Sequence, residues 1–412
     1  MFQPDDSSNV CRSVLARENG CTSWSPRVPP GGTEAGSERS LITSLAAGEI
    51  LATLPLYLSP LILGALTNRL GFDPERAGLL LAVEVMVLAW VTLFGAAWVP
   101  RHRWRQMARW GVWVALLGNF GSLVATDFAS LGVLRVMAGA GEGLVYMACT
   151  GYLPLARNRE RFAVIITFCT VVSGLTGLTL LPAILDSLGH VGIFLPSAVV
   201  TLAAWPCIAR LPSIPPLRQT VPTTATGEAA SSNGRLLLLP LAMFATQLAQ
   251  GCFWSLLQLA GEKGGLAEPV IDLALSSSTL FLLVGVCAAG LLDTRVGRGV
   301  PLIGGILVNA ASMTVALSAA APGIFLGANF VQASTNLFAV IYQVGLAAAA
   351  DRTGRIVALV SGALLLGNGI GPAVGGAIIG HLGWSALLPS LIALNGVAVL
   401  FYASHFGLQR PP

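Results

Sequence analysis

The sequence predicts an all-α integral membrane protein, with twelve transmembrane helices arranged as two pseudo-symmetric six-helix bundles. Three observations lead there. The chain has 412 residues, of which 54% are hydrophobic and only 10% charged, with a mean hydropathy of +0.75. Soluble domains carry about 25% charged residues, so this chain has too few to build a water-facing surface. Apolar runs of about 20 residues recur along it, the length a helix needs to cross the hydrocarbon core. Basic residues alternate between successive loops, as positive-inside orientation demands.

The runs place spans at 41–66, 78–99, 107–126, 130–153, 162–185, 191–209, 236–259, 272–293, 300–320, 323–349, 356–379 and 385–404. Helix is the structure they allow. An open sheet leaves backbone groups unpaired in lipid, and the two-residue alternation of a barrel is missing. With both termini in the cytoplasm, the inner loops hold Arg101, Arg103, Arg105, Arg157, Arg159, Arg161, Arg210, Arg218, Arg235, Arg295, Arg298, Arg352 and Arg355. The outer loops hold Arg69, Arg76 and Lys263. That imbalance orients the chain and supports the span count, because one missed helix would scramble it. The expected location is the inner, cytoplasmic membrane. Residues 1–40 lack the apolar core of a secretory signal and read as a disordered cytoplasmic tail. Residues 210–235, rich in Pro, Thr, Ser and Ala, read as a cytoplasmic linker between bundles 41–209 and 236–404, with 405–412 as a short tail.

Several function classes are excluded. The net charge of +4 is small and scattered, so no nucleic-acid partner is expected. Five of the seven cysteines (Cys149, Cys169, Cys207, Cys252, Cys287) sit inside apolar runs, without CxxC or Cys/His spacing, which supports neither a disulfide framework nor a zinc site. His102, His190 and His381 fall in loops and His405 at the end of the last helix, without paired-His spacing, HExxH or a nucleophile elbow. No phosphate-binding loop is present either. An enzyme, a primary pump and a bound cofactor are therefore not expected.

A shift of 194 residues lays Arg101 on Arg295, Arg161 on Arg355, Gly177 on Gly371, Leu188 on Leu382 and Gly189 on Gly383. The same shift aligns spans and loops. Six helices per unit gives both halves one orientation, hence a parallel repeat about an axis along the membrane normal. The loop after the eighth helix holds Gly290, Leu292, Asp293, Arg295, Gly297 and Arg298; its counterpart keeps Gly95 with Arg101, His102, Arg103 and Arg105. The fourth helix carries Arg135, Gly139, Gly141 and Gly143, and the eleventh Gly367, Gly369, Gly371, Pro372, Gly375 and Gly376. Over 41–404 the chain resembles the major facilitator superfamily: these residues follow the family's G-x-L-x-D-R-x-G-R loops, its R-x-x-x-G-x-G-x-G helix and its glycine-rich late helices. Asp293 stands one place early, and the first-half loop is degenerate. The resemblance implies the superfamily fold, gating by the Arg101, Arg103, Asp293, Arg295, Gly297 and Arg298 loops, and a cavity lined by the first, fourth, seventh and tenth helices.

Those four helices carry polar stripes. Charges within spans are costly, and each is a functional candidate. At about 100° per residue, Arg135, Glu142, Tyr146 and Thr150 share one face of the fourth helix. Gln247, Gln250, Trp254 and Gln258 do so on the seventh, Asn329, Gln332, Asn336 and Gln343 on the tenth, and Glu49, Thr53 and Tyr57 on the first. The repeat pairs Arg135 with Asn329 and Glu142 with Asn336, so the charged side is N-terminal and the amide side C-terminal. Proton coupling is expected from Glu49, Glu142, Arg135 and Glu84. Glu49 is the expected partner of Arg135, and Glu84 a candidate structural partner within its bundle. Substrate contacts are expected from Arg135, Tyr146, Thr53, Tyr57, Gln247, Gln250, Trp254, Gln258, Asn329, Gln332 and Asn336, with the aromatic rings stacking on a planar solute. Arg135 suits an organic anion. The expected function is secondary transport of a small organic solute by proton symport and alternating access. Its partners would be solute, protons and lipid, and it would act as a monomer. The fifth helix has Gly174, Gly177 and Pro182 without a full antiporter signature. Efflux antiport, and a lipid-handling or sensor protein on the same fold, are the alternatives.

Overall fold

A computed structural model describes residues 34–99, 101–152, 159–211, 234–292, 297–350 and 355–407. Twelve α-helices lie among them: α1 (Glu34–Leu70), α2 (Pro74–Trp98), α3 (Trp104–Gly121), α4 (Phe128–Tyr152), α5 (Arg159–Leu188), α6 (Leu195–Ile208), α7 (Leu238–Lys263), α8 (Glu268–Leu292), α9 (Gly299–Ser318), α10 (Pro322–Ala350), α11 (Arg355–Leu382) and α12 (Trp384–Gly407). Each predicted span falls on one of them. The tail expected at 1–40 lies mostly outside the described residues, but its end does not, since α1 begins at Glu34. The linker expected at 210–235 lies outside them over 212–233.

Among the described residues, nine helices are long and apolar enough to cross a membrane. The three that fall short have visible reasons. Helix α6 has 14 residues, about 21 Å at ~1.5 Å per residue, against a core of roughly 30 Å. Helix α3 carries Arg105, Arg109 and Asn119. Helix α7 carries three glutamines, yet most of its surface is buried against other helices rather than lipid, so it need not be apolar all round.

The repeat is written into the backbone. Gly71 (φ 71°) and Gly265 (φ 74°) end α1 and the turn after α7; Gly189 (φ 60°) and Gly383 (φ 82°) end α5 and α11. Both pairs obey the same 194-residue shift, and their left-handed conformation is one that glycine adopts without a Cβ clash. Repeat mates also meet. Asn68 and Glu262, 194 residues apart, are hydrogen-bonded side chain to side chain at 3.2 Å. One turn earlier, a Cβ on Gly64 would fall 2.6 Å from the carboxamide of its own mate, Gln258. The pseudo-twofold axis therefore passes between α1 and α7 at that end.

Without a hydrophobic drive between helices in lipid, close approach depends on small residues. On α11 these form two faces. Gly367, Gly371 and Gly375 meet α7 at Gln247, Gly251 and Cys252, whereas Gly369 and Gly376 meet α2 at Val85 and Pro74. Helix α11 is thus wedged between its own half and the other. Helix α4 does the same within the first half: Gly139 and Gly143 abut α2, and Gly141 abuts α3.

The buried apolar side chains fall into three clusters. One spans both halves, packing Leu58, Leu63, Leu81 and Leu178 with Phe253, Leu256, Ile271 and Phe325. The other two are each confined to one half: Leu45, Trp104, Val145 and Ile208 in the first, and Met243, Ile306, Leu346 and Tyr402 in the second. The halves share a core toward the end where α1 and α7 finish, and have separate cores toward the other end. Helices α2 and α11 remain in contact as far as Leu93 and Gly362, at 3.7 Å from an added Cβ.

Candidate functional site

Arg135 is 1% exposed and sits inside the first bundle, held from α2 and α3. Its Nη1 meets Glu84 Oε1 at 2.8 Å. Its Nη2 donates to Ser122 Oγ at 2.7 Å, Asn119 Oδ1 at 3.0 Å and the Gly118 carbonyl at 3.2 Å. The guanidinium lies 4.2 Å from the Phe194 ring centroid, a cation–π contact at the entry to α6. Glu84 is therefore its partner, which corrects the expected pairing with Glu49. The physical reason is helix order: α4 packs on α2 and α3 through its glycines, so the long side chain on that face reaches them rather than α1.

Glu142 is fully buried, and its Oε1 accepts from Asn119 Nδ2 at 3.3 Å. Asn119 also donates to Thr201 Oγ1 at 3.0 Å, so one carboxamide joins Glu142, Arg135 and α6. Glu142 Oε2 and Arg135 Nε are buried without a partner. One guanidinium and two carboxylates share this enclosed space. Asn119, Ser122 and Thr201 escape a search of the four stripe-bearing helices because α3 and α6 carry them. The signal was there: each is a polar residue in an apolar run, and Asn119 and Ser122 lie one turn apart.

Glu49 sits elsewhere. It is half-buried and borders a cavity of about 200 Å³ lined by Leu45, Tyr146, Cys149, Thr150, Ile166 and Thr167. Its carboxylate is hydrogen-bonded to the Tyr146 hydroxyl. Thr53 and Thr150 spend their hydroxyls on the carbonyls one turn back, Glu49 and Tyr146, both at 2.8 Å. Tyr57 packs on α5, its ring 2.8 Å from where a Cβ on Gly174 would stand.

In the second half, Gln332 Nε2 donates to Gln250 Oε1 at 2.5 Å and to Asn309 Oδ1 at 3.3 Å, and Thr335 donates to the same oxygen at 3.4 Å. Asn368 donates to Gln247 at 3.5 Å and Gln343 to Thr246 at 3.3 Å. Asn329 turns back on the Phe325 carbonyl at 2.8 Å, and Asn336 is half-buried. Trp254 Nε1 donates across the halves to the Leu56 carbonyl at 3.0 Å. Pro60, four residues on, has no N–H, so that carbonyl lacks its helical partner and Trp254 supplies one, with Ser59 Oγ at 2.9 Å. Gln258 lies at the joined end, donating to Glu262 at 2.8 Å beside a second cavity of about 330 Å³ lined also by Asn68, Arg69, Asp186, Glu268 and Asp272.

The expected substrate residues therefore occupy several places rather than one chamber. Arg135, Glu142 and Glu84 are interior to the first bundle. Gln247, Gln250, Gln332 and Asn329 are interior to the second. Glu49 and Tyr146 line the smaller cavity, Thr53 and Tyr57 lie further along α1, Trp254 bridges the halves, and Gln258 lies at the joined end. The organic-anion expectation rests on Arg135, which is 1% exposed and engaged by groups of its own bundle. Of the loop residues, Arg103 is exposed, Gly297 (φ 75°) makes the turn before α9, and Arg298 stands at the N-cap position of that helix without a side-chain capping bond. Asp293, Arg295 and the Arg101 side chain lie outside the described residues. Arg105 Nη2 donates to the Ala209 carbonyl at 3.3 Å, supplying a cation to the C-terminus of α6.

The chain is thus built as two halves related by a pseudo-axis, each enclosing a polar interior. Residues 239–412 match the Major Facilitator Superfamily by sequence. Solved transporter structures share the fold across nearly the whole chain. A bacterial homologue of the human lysosomal transporter Spinster, solved in an inward-facing and unoccupied conformation, has a TM-score of 0.70 at 15% identity, covering 92% of this chain and 100% of that one. A point mutant of the nucleoside transporter NupG has a TM-score of 0.67 at 13% identity, covering 90% of this chain and 100% of that one. No curated relative matches in sequence. The second half is thus similar in sequence to the major facilitator superfamily, and the chain as a whole has the fold of these solved transporters.

Proposed function

We propose that the chain moves a small organic solute across the cytoplasmic membrane by alternating access, coupled to protons. The observation that carries the reading is the division of the buried core: one apolar cluster joins the halves at one end, and each half keeps its own at the other. Two bodies that share an apolar core at one end, with α2 and α11 in contact beyond it, can rock about the pseudo-axis and exchange which end is closed.

The first bundle supports proton coupling. Arg135 compensates one carboxylate, Glu84, while Glu142 shares the same enclosure with one oxygen unpartnered. A buried charge without compensation is costly, and a proton on either carboxylate removes it. Taking up or losing that proton changes the electrostatic balance between α2, α3, α4 and α6, and so biases how the bundle packs. The second bundle carries Asn329 and Asn336 at the positions matching Arg135 and Glu142, and Ser278 at the one matching Glu84, none of which titrates between carboxylate and acid.

The test is flux in proteoliposomes across a panel of anionic, cationic and neutral solutes under imposed pH gradients. Accumulation driven by an inward proton gradient means symport; expulsion of preloaded solute means antiport. Glu142→Gln should abolish proton-driven accumulation and keep solute counterflow. Full proton-driven accumulation in that variant would remove Glu142 from the mechanism, and absence of flux for every solute would sink the transporter reading.

A further inference from the structure

Four ionisable Glu and Arg side chains lie deep within the described spans: Glu49, Glu84, Arg135 and Glu142. Three of them are enclosed in the first bundle at 0–1% exposure. Arg135 is the one cation of the set, and it is spent on Glu84, Ser122, Asn119, the Gly118 carbonyl and the Phe194 ring. Glu49 alone borders open volume.

We propose that the Glu49 cavity binds an organic ammonium ion of roughly one ring's size, so that the transported solute is a cation. The proposal deepens the transporter reading and rests on it. An ionised carboxylate only accepts hydrogen bonds. A ligand anion placed beside Glu49 meets repulsion, and the α4 donors lining the cavity are already engaged, although the Thr167 hydroxyl of α5 lines it too. Tyr146 donates to Glu49, Thr150 to the Tyr146 carbonyl and Cys149 to the Ser44 carbonyl. An ammonium reverses each of those terms. It donates to the carboxylate in a charge-assisted bond and offsets a half-buried charge. Tyr146 lines the cavity beside it. Leu45 and Ile166 supply apolar wall for the body of the ligand. The cavity's 200 Å³ equals about six or seven waters at roughly 30 Å³ each, enough for a monocyclic ion.

The experiment compares benzylammonium, benzyl alcohol and benzoate, three probes of like shape and different charge, by calorimetric binding to the full-length purified protein in nanodiscs. Benzylammonium should bind tightest. Glu49→Gln, close to isosteric, should weaken it roughly tenfold to a hundredfold and leave benzyl alcohol unchanged, while Glu49→Asp retains part of the affinity. Thermal unfolding of each variant shows that the fold is intact. Should either variant fail to fold, Tyr146→Phe, which frees a carboxylate oxygen, should keep the charge preference. The proposal is overturned if benzylammonium binds no better than benzoate and benzyl alcohol, or if Glu49→Gln leaves it unaffected. Counterflow separates the two readings. Cation binding without movement of any solute refutes transport alone, and movement of an anion untouched by Glu49→Gln refutes the cation assignment alone.

Discussion

Gly78→Ala is a sharp probe of how the halves are held together. A Cβ on Gly78 would fall 2.2 Å from the Pro372 carbonyl oxygen and 2.8 Å from its carbon. Ordinary contact begins near 3.4 Å, so α2 and α11 must part by roughly 1 Å, and the obstacle is backbone rather than a side chain that can swing away. Overpacking of this kind costs about 1–3 kcal/mol, which is roughly a fivefold to 150-fold change in the population of the joined state. The intrinsic effect has the opposite sign, because alanine inside a helix is favoured over glycine by about 0.5–1 kcal/mol. Gly132→Ala is the control: its nearest neighbour would stand at 4.0 Å, so only the favourable term applies. Spin labels at positions 76 and 382, in a background without the native cysteines, report the separation of the two helix ends. Gly78→Ala should lengthen and broaden that distance, and Gly376→Ala, 2.3 Å from the Pro74 carbonyl oxygen, should do the same. Unchanged distances and unchanged unfolding temperature for both would show that the contact holds nothing, and the reasoning from helix proximity would fail.

Trp254→Phe removes the N–H that serves the Leu56 carbonyl and should weaken the joined state by about 0.5–1.5 kcal/mol, read as faster labelling of a cysteine placed at position 65, where buried Ala65 already carries a Cβ; no change in labelling would count against the bridge. Gln332→Leu strips a donor from both Gln250 and Asn309 in the second bundle and should cost about 1–3 kcal/mol in thermal unfolding, a loss that Gln332→Glu at low pH should partly restore. Asp127 lies outside the spans, where the Ser130 hydroxyl and then its backbone N–H hold the carboxyl below its ordinary value. A lowered folded value means stabilisation present above the ordinary carboxyl pKa and lost as pH falls through the lowered one. Amide exchange at the start of α4 should therefore quicken only in strong acid, whereas Asp127→Ala should show the quickening at neutral pH.

The cation–carboxylate pairing shows where legibility stopped. Arg135 and Glu142 declare themselves by charge in an apolar run, whatever surrounds them. Their partners depend on which helices the glycines of α4 admit, and Gly139, Gly141 and Gly143 turn that face toward α2 and α3, away from Glu49. The stripes on α7 and α10 suggest cavity lining for the same reason. Periodicity tells that Gln250 and Gln332 share faces with other polar residues, but both cavity water and a neighbouring amide satisfy that pattern, and Asn309 on α9 makes it the latter.

By itself the sequence determined the twelve helices, the membrane setting and the repeat, because hydropathy and the 194-residue spacing act locally and the bilayer imposes helix on any long apolar run. Only the tertiary structure decided that Asn68 meets Glu262, that Trp254 serves the carbonyl freed by Pro60, and that Glu49 is left facing open volume. Those outcomes depend on how helices of similar composition are ordered and rotated against one another, which lipid does not specify and close packing at particular glycines does.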